Sequence, residues 1–498
     1  MGKIIRGIFA LFLCINTWAT VYAQSIKIPL RSTYITLEPY KLQDISSLWV
    51  SRQINCQLIR KHGREPTLEA ASSLKYVSPL ILNIKLKKGV LFSDGTQLTA
   101  QDVVATFEYL RNKGTEFRNI FDWIESITAN KKLEVVIKLK KQTPNFITAL
   151  SAPHYAIFKK SFIEKANLNP TLWKKPIGCG GYKIDENNQE HVVLIPNGKG
   201  LQIIFTFEPN NQVTAKEAQK YNLIPMHIVG NPKEITHFHT VQVFDPYQFY
   251  FAFNTRLSIW QNKENRCAVF SRINSDTIIK QYDNKAKVAD NLVPSGILGY
   301  SSNRNYLSGI MNKYAMRSIP KKKDFCVSLM TISISKNYQA EYLHMVRQIY
   351  PNATLKIIGG CSNMNQVIEQ QECDGSFFAF KSNYLDAYEY MQALSTTKGI
   401  SPTGYYDPQL VASIKDSQIK LTAEQKAKSY RKIIKHIESL CLMYPLFTIP
   451  YDIVFVKNDI STPGLGQEPI NEYYLGHVSY KQTSKVNHSH QHLSQVVH

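Results

Sequence analysis

His237 and His239 stand one residue apart in the tripeptide His-Phe-His. On an extended segment their imidazoles share one face, because successive side chains of a strand alternate. Two imidazoles are half of a tetrahedral metal site, and no third ligand stands nearby in the sequence. Packed or surface histidines are therefore the expectation. Four more histidines, His488, His490, His492 and His498, lie in a polar tail over 481–498. The composition predicts a disordered tail, which would hold a metal only weakly. Gly178, Gly180 and Gly181 do not have dinucleotide spacing and read as a tight corner. There is no GxxxxGK phosphate loop, no HExxH and no GxSxG. No catalytic residue, metal or cofactor is expected. A triad built from distant residues needs no local motif, so an exported hydrolase stays open as a rival.

Beyond position 23 there are seven cysteines: Cys56, Cys179, Cys267, Cys326, Cys361, Cys373 and Cys441. No pair has CxxC spacing, so zinc and thioredoxin-like chemistry lack local support. An oxidising compartment permits disulfides, and an odd count leaves at least one thiol over. Sequence does not choose the pairs, and buried free cysteine is the expectation for most of them.

These groups must be positioned by a chain of 498 residues with 44% apolar and 19% charged residues. That is a globular balance spread over more than one core, since single cores stop growing near ~250–300 residues. The net charge is +21, which draws a protein to anionic surfaces or ligands. Its lysines come in twos and threes, as at Lys87-Lys88, Lys140-Lys141 and Lys321 to Lys323. Nucleic-acid binding would favour arginine-rich or aromatic-interleaved stripes, so none is expected. The first residues read as an export signal over 1–23. Lys3 and Arg6 precede the apolar run Ile8 to Ile15, and Val21-Tyr22-Ala23 offers a cleavage point. Leu13 before Cys14 is bulkier than a lipid-anchor signal prefers.

Leu82, Ile84 and Leu86 alternate with polar residues, the pattern of a half-buried strand. Ser93-Asp94-Gly95 then turns the chain. Thr99 with Asp102 caps a helix whose apolar face is Val103, Phe107 and Leu110, with Gly114 to end it. Strands are expected at Lys132 to Leu139 and Tyr247 to Phe253, and two short helices between Glu264 and Tyr282. From residue 324, strands and helices alternate, which implies a parallel sheet. Thr422 with Gln425 caps a long helix that faces inward through Tyr430, Ile433, Ile434, Ile437 and Cys441. Pro445 should stop it, and Leu446 to Val456 returns as a strand.

Leu80 to Asp102, LILNIKLKKGVLFSDGTQLTAQD, resembles the signature of the extracellular solute-binding proteins of the oligopeptide, dipeptide and nickel class. Pro176 to Tyr182 resembles that family's Gly-rich corner, Phe251 to Thr255 its Asn-Thr strand, and Tyr405 to Pro450 its last helix and Pro-Leu strand. The resemblance implies an α/β fold of the type II periplasmic binding class, with two lobes, a hinge and an extra domain. One lobe would be discontinuous, over 24–62, 176–249 and 457–480. The extra domain would cover 63–175, and the second lobe 250–456. Closure would occur about crossing strands near Tyr250 to Thr255.

The resemblance also implies a function. A small molecule or short peptide would bind between the lobes of a monomer in the periplasm. An inner-membrane ABC permease with its ATPase subunits would receive it, and contact with the membrane would be peripheral only. Thr33, Tyr34 and Thr36 would line one wall, Tyr250 and Asn254 the hinge, and Phe380, Lys381, Asn383 and Asp386 the other wall. Peptide-binding members carry an Asp-x5-Trp-x2-Asp strand whose last carboxylate takes the ligand's α-ammonium. Here Asp374 to Asn383 overlays it, with Phe380 for the tryptophan and Asn383 for the aspartate. An ammonium leaving water wants a charged acceptor. Either Asp386 compensates, or the ligand has no free ammonium and Lys381 favours an anionic or neutral solute. An orphan envelope adaptor without a permease is the other rival.

Overall fold

A computed structural model describes residues 24–481 except 31–33, 43, 63–64, 114–118, 144–145, 209–212, 226–227, 230, 282–285, 303, 331–338, 359–365, 382–385, 396–401, 418–421, 468–470 and 471–472. Gly114 of the expected helix end falls outside the described residues, as does the tail from 482.

Three sheets organise the chain. The first has four strands in the order Ser25–Leu30, Gln202–Phe207, His191–Pro196, Tyr182–Asn187. Ser25–Leu30 runs parallel to its neighbour and the others are antiparallel. Ile26, Ile28, Ile203, Phe205, Val192 and Leu194 bury one face of it. The helix Ile45–Ile54 covers that face through Trp49 and Val50, and its N-terminus is capped by Asp44, which accepts the Ser47 N–H at 2.8 Å.

The second sheet orders Ala71–Ser78, Ile81–Leu86, Glu134–Leu139 and Ile124–Lys131, all antiparallel. Leu82, Ile84 and Leu86 are buried, as their alternation predicts. The helix Ala100–Lys113 lies over them through Val103, Phe107 and Leu110. Asp102 caps it by accepting the Thr99 N–H at 2.8 Å and the Thr99 hydroxyl at 2.7 Å. Gly95 has φ 83°, so the turn before this helix uses the left-handed conformation.

The third sheet has seven strands. Its path is Leu223–Pro225, Met443–Lys457, Phe238–Phe253, Gly375–Phe380, Cys326–Met330 and Thr354–Ile358, with Lys287–Val288 also paired to Met443–Lys457. The last three strands are parallel, in line with the strand–helix alternation. The aromatic strand expected from Tyr247 begins earlier, at Phe238, and spans 16 residues. Pro445 lies inside the strand Met443–Lys457 and does not stop the helix, which ends at Ser439. The helix does start at Thr422, whose hydroxyl and Gln425 form a capping box.

Those two long strands pass from one core to another. Val243, Val454 and Val456 pack with the first sheet. Phe249, Phe251, Phe253, Leu446 and Phe447 pack with Phe377 and Tyr342 in a second core. The ladder slips between these halves. Phe244 pairs with Tyr451 and Tyr247 with Ile449, so Asp245 and Pro246 together oppose Pro450. That is a β-bulge with a proline on each strand, and a proline cannot donate to the ladder.

The expectation of mostly free cysteines is corrected. Cys56 pairs with Cys179, Cys267 with Cys441 and Cys326 with Cys373, while Cys361 falls outside the described residues. Partners 123, 174 and 47 residues apart meet only in the folded chain.

The Pro-Gly corner packs against the end of the helix Ile45–Ile54. A Cβ on Gly178 would sit 2.1 Å from the Ile54 carbonyl oxygen and 2.3 Å from Asn55 Oδ1. Both obstacles are held, one as backbone and the other on a buried side chain. Gly178→Ala should therefore displace the corner and destabilise the fold by about 1–3 kcal/mol, the range for overpacking. Urea unfolding followed by circular dichroism checks this; an unchanged midpoint would show that the corner yields freely.

Candidate ligand cleft and hinge

The second sheet's core continues into that of the third-sheet body. Trp123 ends a short helix, Asn119–Trp123, and its ring lies 6.5 Å from Tyr388 on the helix Ala387–Ser395. Tyr155 packs on Phe107 and Phe121 and feels the charge of Glu389. Tyr390, next along, makes an edge contact with Phe380 at 4.9 Å. Aromatic rings from two separate sheet systems thus face each other across one seam. Rings suit such a seam, because they bury large area with few rotamers to freeze.

His154 sits beside Tyr155 and is buried, and burial pulls its imidazole down to about 3. It stays neutral across physiological pH. Glu38 ties the strand-to-helix segment of the first body to the helix Ala100–Lys113. It accepts the Tyr109 hydroxyl at 2.7 Å and the Lys41 ammonium at 2.7 Å. Trp123, Tyr155, Tyr388, Glu389 and Glu38 were not singled out from the sequence. None belongs to a local motif, and only the third dimension brings them together.

The residues expected to line the cleft distribute as follows. Thr33 and Asn383 fall outside the described residues. Tyr34 is 68% exposed, and the Thr36 N–H donates to Ser47 Oγ at 3.0 Å. Tyr250 is fully buried. Its ring stacks on Phe378 at 5.3 Å and its hydroxyl donates to the Leu292 carbonyl at 2.6 Å. Asn254 is also buried, and its amide donates to the carbonyls of Ile368 and Cys373 at 3.1 and 3.2 Å. Both were expected to line the cleft at the hinge, and in this conformation both side chains are engaged within the core. The Asn-Thr motif has a structural reason: Asn254 pins the loop that leads into the strand Gly375–Phe380.

Phe380 is half-buried against Tyr390. Asp386 is buried and caps the helix Ala387–Ser395, accepting the Tyr388 N–H at 2.8 Å. Burial lowers the Lys426 ammonium while the charge of Asp386 raises it. A carboxylate engaged as a cap is a weak candidate for the role of ligand anchor.

Lys381 is the largest change from expectation. Its ammonium pairs with Asp245 at 2.6 Å and lies 5.1 Å from the Tyr247 ring centroid. Burial pushes the Tyr247 hydroxyl up to about 12, opposed by the charge of Lys381. Asp245 is half of the bulge where the two long strands cross. Lys381 is thus neutralised at the bulge by a residue 136 positions away. Its charge no longer argues for an anionic solute.

This pair makes a prediction. Asp245→Ala leaves a mostly buried ammonium without its carboxylate and should cost about 3 kcal/mol. The double change with Lys381→Met removes both charges and should recover most of that loss. Urea midpoints of the two variants decide it; equal losses would mean that the stranded ammonium is not the cause.

Residues 70–314 match the family described as "Bacterial extracellular solute-binding proteins, family 5 Middle". The chain is 26% identical over 182 residues to the glutathione-binding protein GsiB of Escherichia coli O1:K1, covering 36% of this chain and 35% of that one. It is 27% identical over 235 residues to the oligopeptide-binding protein AppA of Bacillus subtilis, covering 43% of each. The matched stretches span from about a third to less than half the length of these curated relatives. Among solved structures, the periplasmic binding protein DppA of Helicobacter pylori, in complex with the peptide STSA, superposes with a TM-score of 0.76. That match covers 92% of this chain and 98% of the other at 17% identity, which shows a common fold. The fold is the two-lobed α/β architecture of type II periplasmic binding proteins, and residues 70–314 are similar to the bacterial extracellular solute-binding proteins of family 5.

Proposed function

We propose that this chain is the periplasmic solute-binding component of an ABC importer, capturing a short peptide or peptide-like solute and handing it to an inner-membrane permease. Its signal would be cleaved near Ala23. One lobe comprises 24–62, 176–249 and 457–480, an extra domain 63–175, and the second lobe 250–456. The observation that carries this reading is the pair of long strands bulged at Asp245-Pro246 against Pro450. Two chain crossings with a weakened ladder between two cores are what a bending joint requires. A solute that binds the closed form better than the open one shifts the population toward closure. The aromatic seam of Trp123, Tyr155 and Tyr388 is buried in this conformation and would supply apolar walls only on opening, with the charge of Glu389 beside Tyr155. Neutralisation of Lys381 by Asp245 favours the peptide reading over an anionic solute. Cys56, Cys179, Cys267, Cys326, Cys373 and Cys441 are held in disulfides, so none of them offers a thiolate nucleophile.

The test is mass spectrometry of solute released by denaturing the purified protein, followed by calorimetric titration with that solute. A released small peptide that rebinds unchanged is the expected result. Conversion of the solute on incubation, or a released solute with no peptide bond, would overturn the peptide-binding reading.

A further inference from the structure

The 63–175 segment carries a groove of about 600 Å³ at the end of the strand Ile124–Lys131 opposite Trp123. It is lined by Ser72, Lys85, Leu86, Lys87, Lys88, Lys131, Leu133 and Glu134. Three pieces of the second sheet meet there: the end of the strand Ile81–Leu86 with the turn after it, the hairpin between Ile124–Lys131 and Glu134–Leu139, and the start of the strand Ala71–Ser78. The turn at Gly89 has φ 78° and open space around it. All four lysines are exposed. The one carboxylate in the groove, Glu134, already accepts from Asn83 Nδ2 at 2.6 Å and stands 3.9 Å from Lys131. Lys87 reaches the Leu68 carbonyl at 3.3 Å. The groove is therefore cationic in excess.

Two exposed apolar side chains lie within four residues of its lining in the chain. Leu68, whose carbonyl takes Lys87, is 44% exposed. Leu91, three residues past Lys88, is 52% exposed. A discrete soluble anion would be held by buried donors in fixed geometry, and every ammonium here is solvated. Solvated lysines mixed with exposed leucines match a headgroup layer instead, where lysine charge meets phosphate and the leucines enter the acyl boundary.

We propose that this groove is a docking surface for an anionic phospholipid membrane. It would hold the protein at the bilayer between deliveries. The attraction is electrostatic at long range and falls with salt.

Sedimentation of the mature chain with vesicles tests this. Phosphatidylcholine vesicles are compared with phosphatidylcholine–phosphatidylglycerol vesicles, at low and high salt. The wild type should bind the anionic vesicles only, and more weakly as salt rises. The K85E/K87E/K88E/K131E variant should bind about 600-fold more weakly, since each lysine at an anionic surface is worth roughly fivefold. K216E/K220E/K233E/K415E removes equal charge from exposed sites elsewhere and should bind within a few-fold of an unaltered chain. Lys88→Glu alone, in an open turn, should still show roughly a fivefold loss, which keeps the test valid if the quadruple variant misfolds. Equal losses in both quadruple variants would overturn the proposal, because overall charge would then be responsible. Saturable binding of pyrophosphate or polyglutamate without vesicle binding would also overturn it, in favour of a soluble anion or an acidic protein.

Discussion

Asp374→Ala should destabilise the protein by about 3–5 kcal/mol, the cost of removing one partner from a buried ionic network. Asp374 is 2% exposed. Its Oδ1 accepts from Trp260 Nε1 at 2.7 Å and pairs with the Lys322 ammonium at 3.0 Å. Its Oδ2 accepts the Cys326 N–H at 2.9 Å. Its backbone accepts the Asn254 N–H and donates to the Cys326 carbonyl, both at 2.8 Å. One carboxylate therefore joins the end of the strand Phe238–Phe253, the start of Cys326–Met330 and the entry to Gly375–Phe380. Alanine would leave the Trp260 N–H, the Cys326 N–H and a half-buried ammonium with no acceptor. Each buried donor so orphaned costs about 1–3 kcal/mol. Asp374→Asn keeps the shape and one acceptor, so it should cost clearly less. Denaturant unfolding read by tryptophan fluorescence compares them, with Trp260 itself as a reporter. Losses below about 1 kcal/mol for alanine would mean that water replaces the carboxylate, and the network account would fail.

Removing the Cys56–Cys179 disulfide should have an effect of similar size. Cys56 follows the helix Ile45–Ile54 just before the 63–175 segment begins, and Cys179 lies in the glycine corner just after it ends. The bond closes a loop of 123 residues at its base. Chain-entropy bookkeeping puts such a loop at about 5 kcal/mol, and measured native disulfides span about 2–5 kcal/mol. Both sulfurs are buried, so Cys56→Ala with Cys179→Ala also loses packing, though it leaves no polar group stranded. The second sheet keeps its own core of Leu82, Ile84, Val135 and Ile137. The double variant should therefore lose stability while retaining that sheet. Unfolding midpoints with and without reductant read the first effect; protection of the Leu82, Ile84 and Ile137 amides against hydrogen exchange reads the second. A wild type whose midpoint ignores reductant would contradict the expected contribution.

Much of the local architecture is legible because its causes are local. The alternation of Leu82, Ile84 and Leu86 buries one face whatever the rest of the chain does. Thr99 with Asp102, and Thr422 with Gln425, satisfy orphan N–H groups within one turn, so these helix starts follow from residues three apart. The signature from Leu80 to Asp102 is a strand, a turn and a capped helix in sequence order, which is why a family resemblance could be read there. Pro445 misled for the complementary reason. Its effect on a helix depends on where the helix has already ended, and tertiary pairing had claimed the segment as strand.

The cleft and the hinge depended on contacts between residues far apart in the chain. Asn254 was expected to meet the solute at the hinge, yet its amide holds carbonyls more than a hundred positions away. Lys381 was expected to face a solute, yet Asp245 waits for it at the bulge. Nothing in the spacing of either residue favours that partner over any other. Residue order thus settles which faces are apolar, where helices begin and where the chain turns, since those follow from neighbours within a few bonds. Which cysteines join, which charges cancel and which rings meet across the seam follow from burial, where a charge or donor must find a complement among the residues that the fold brings to it.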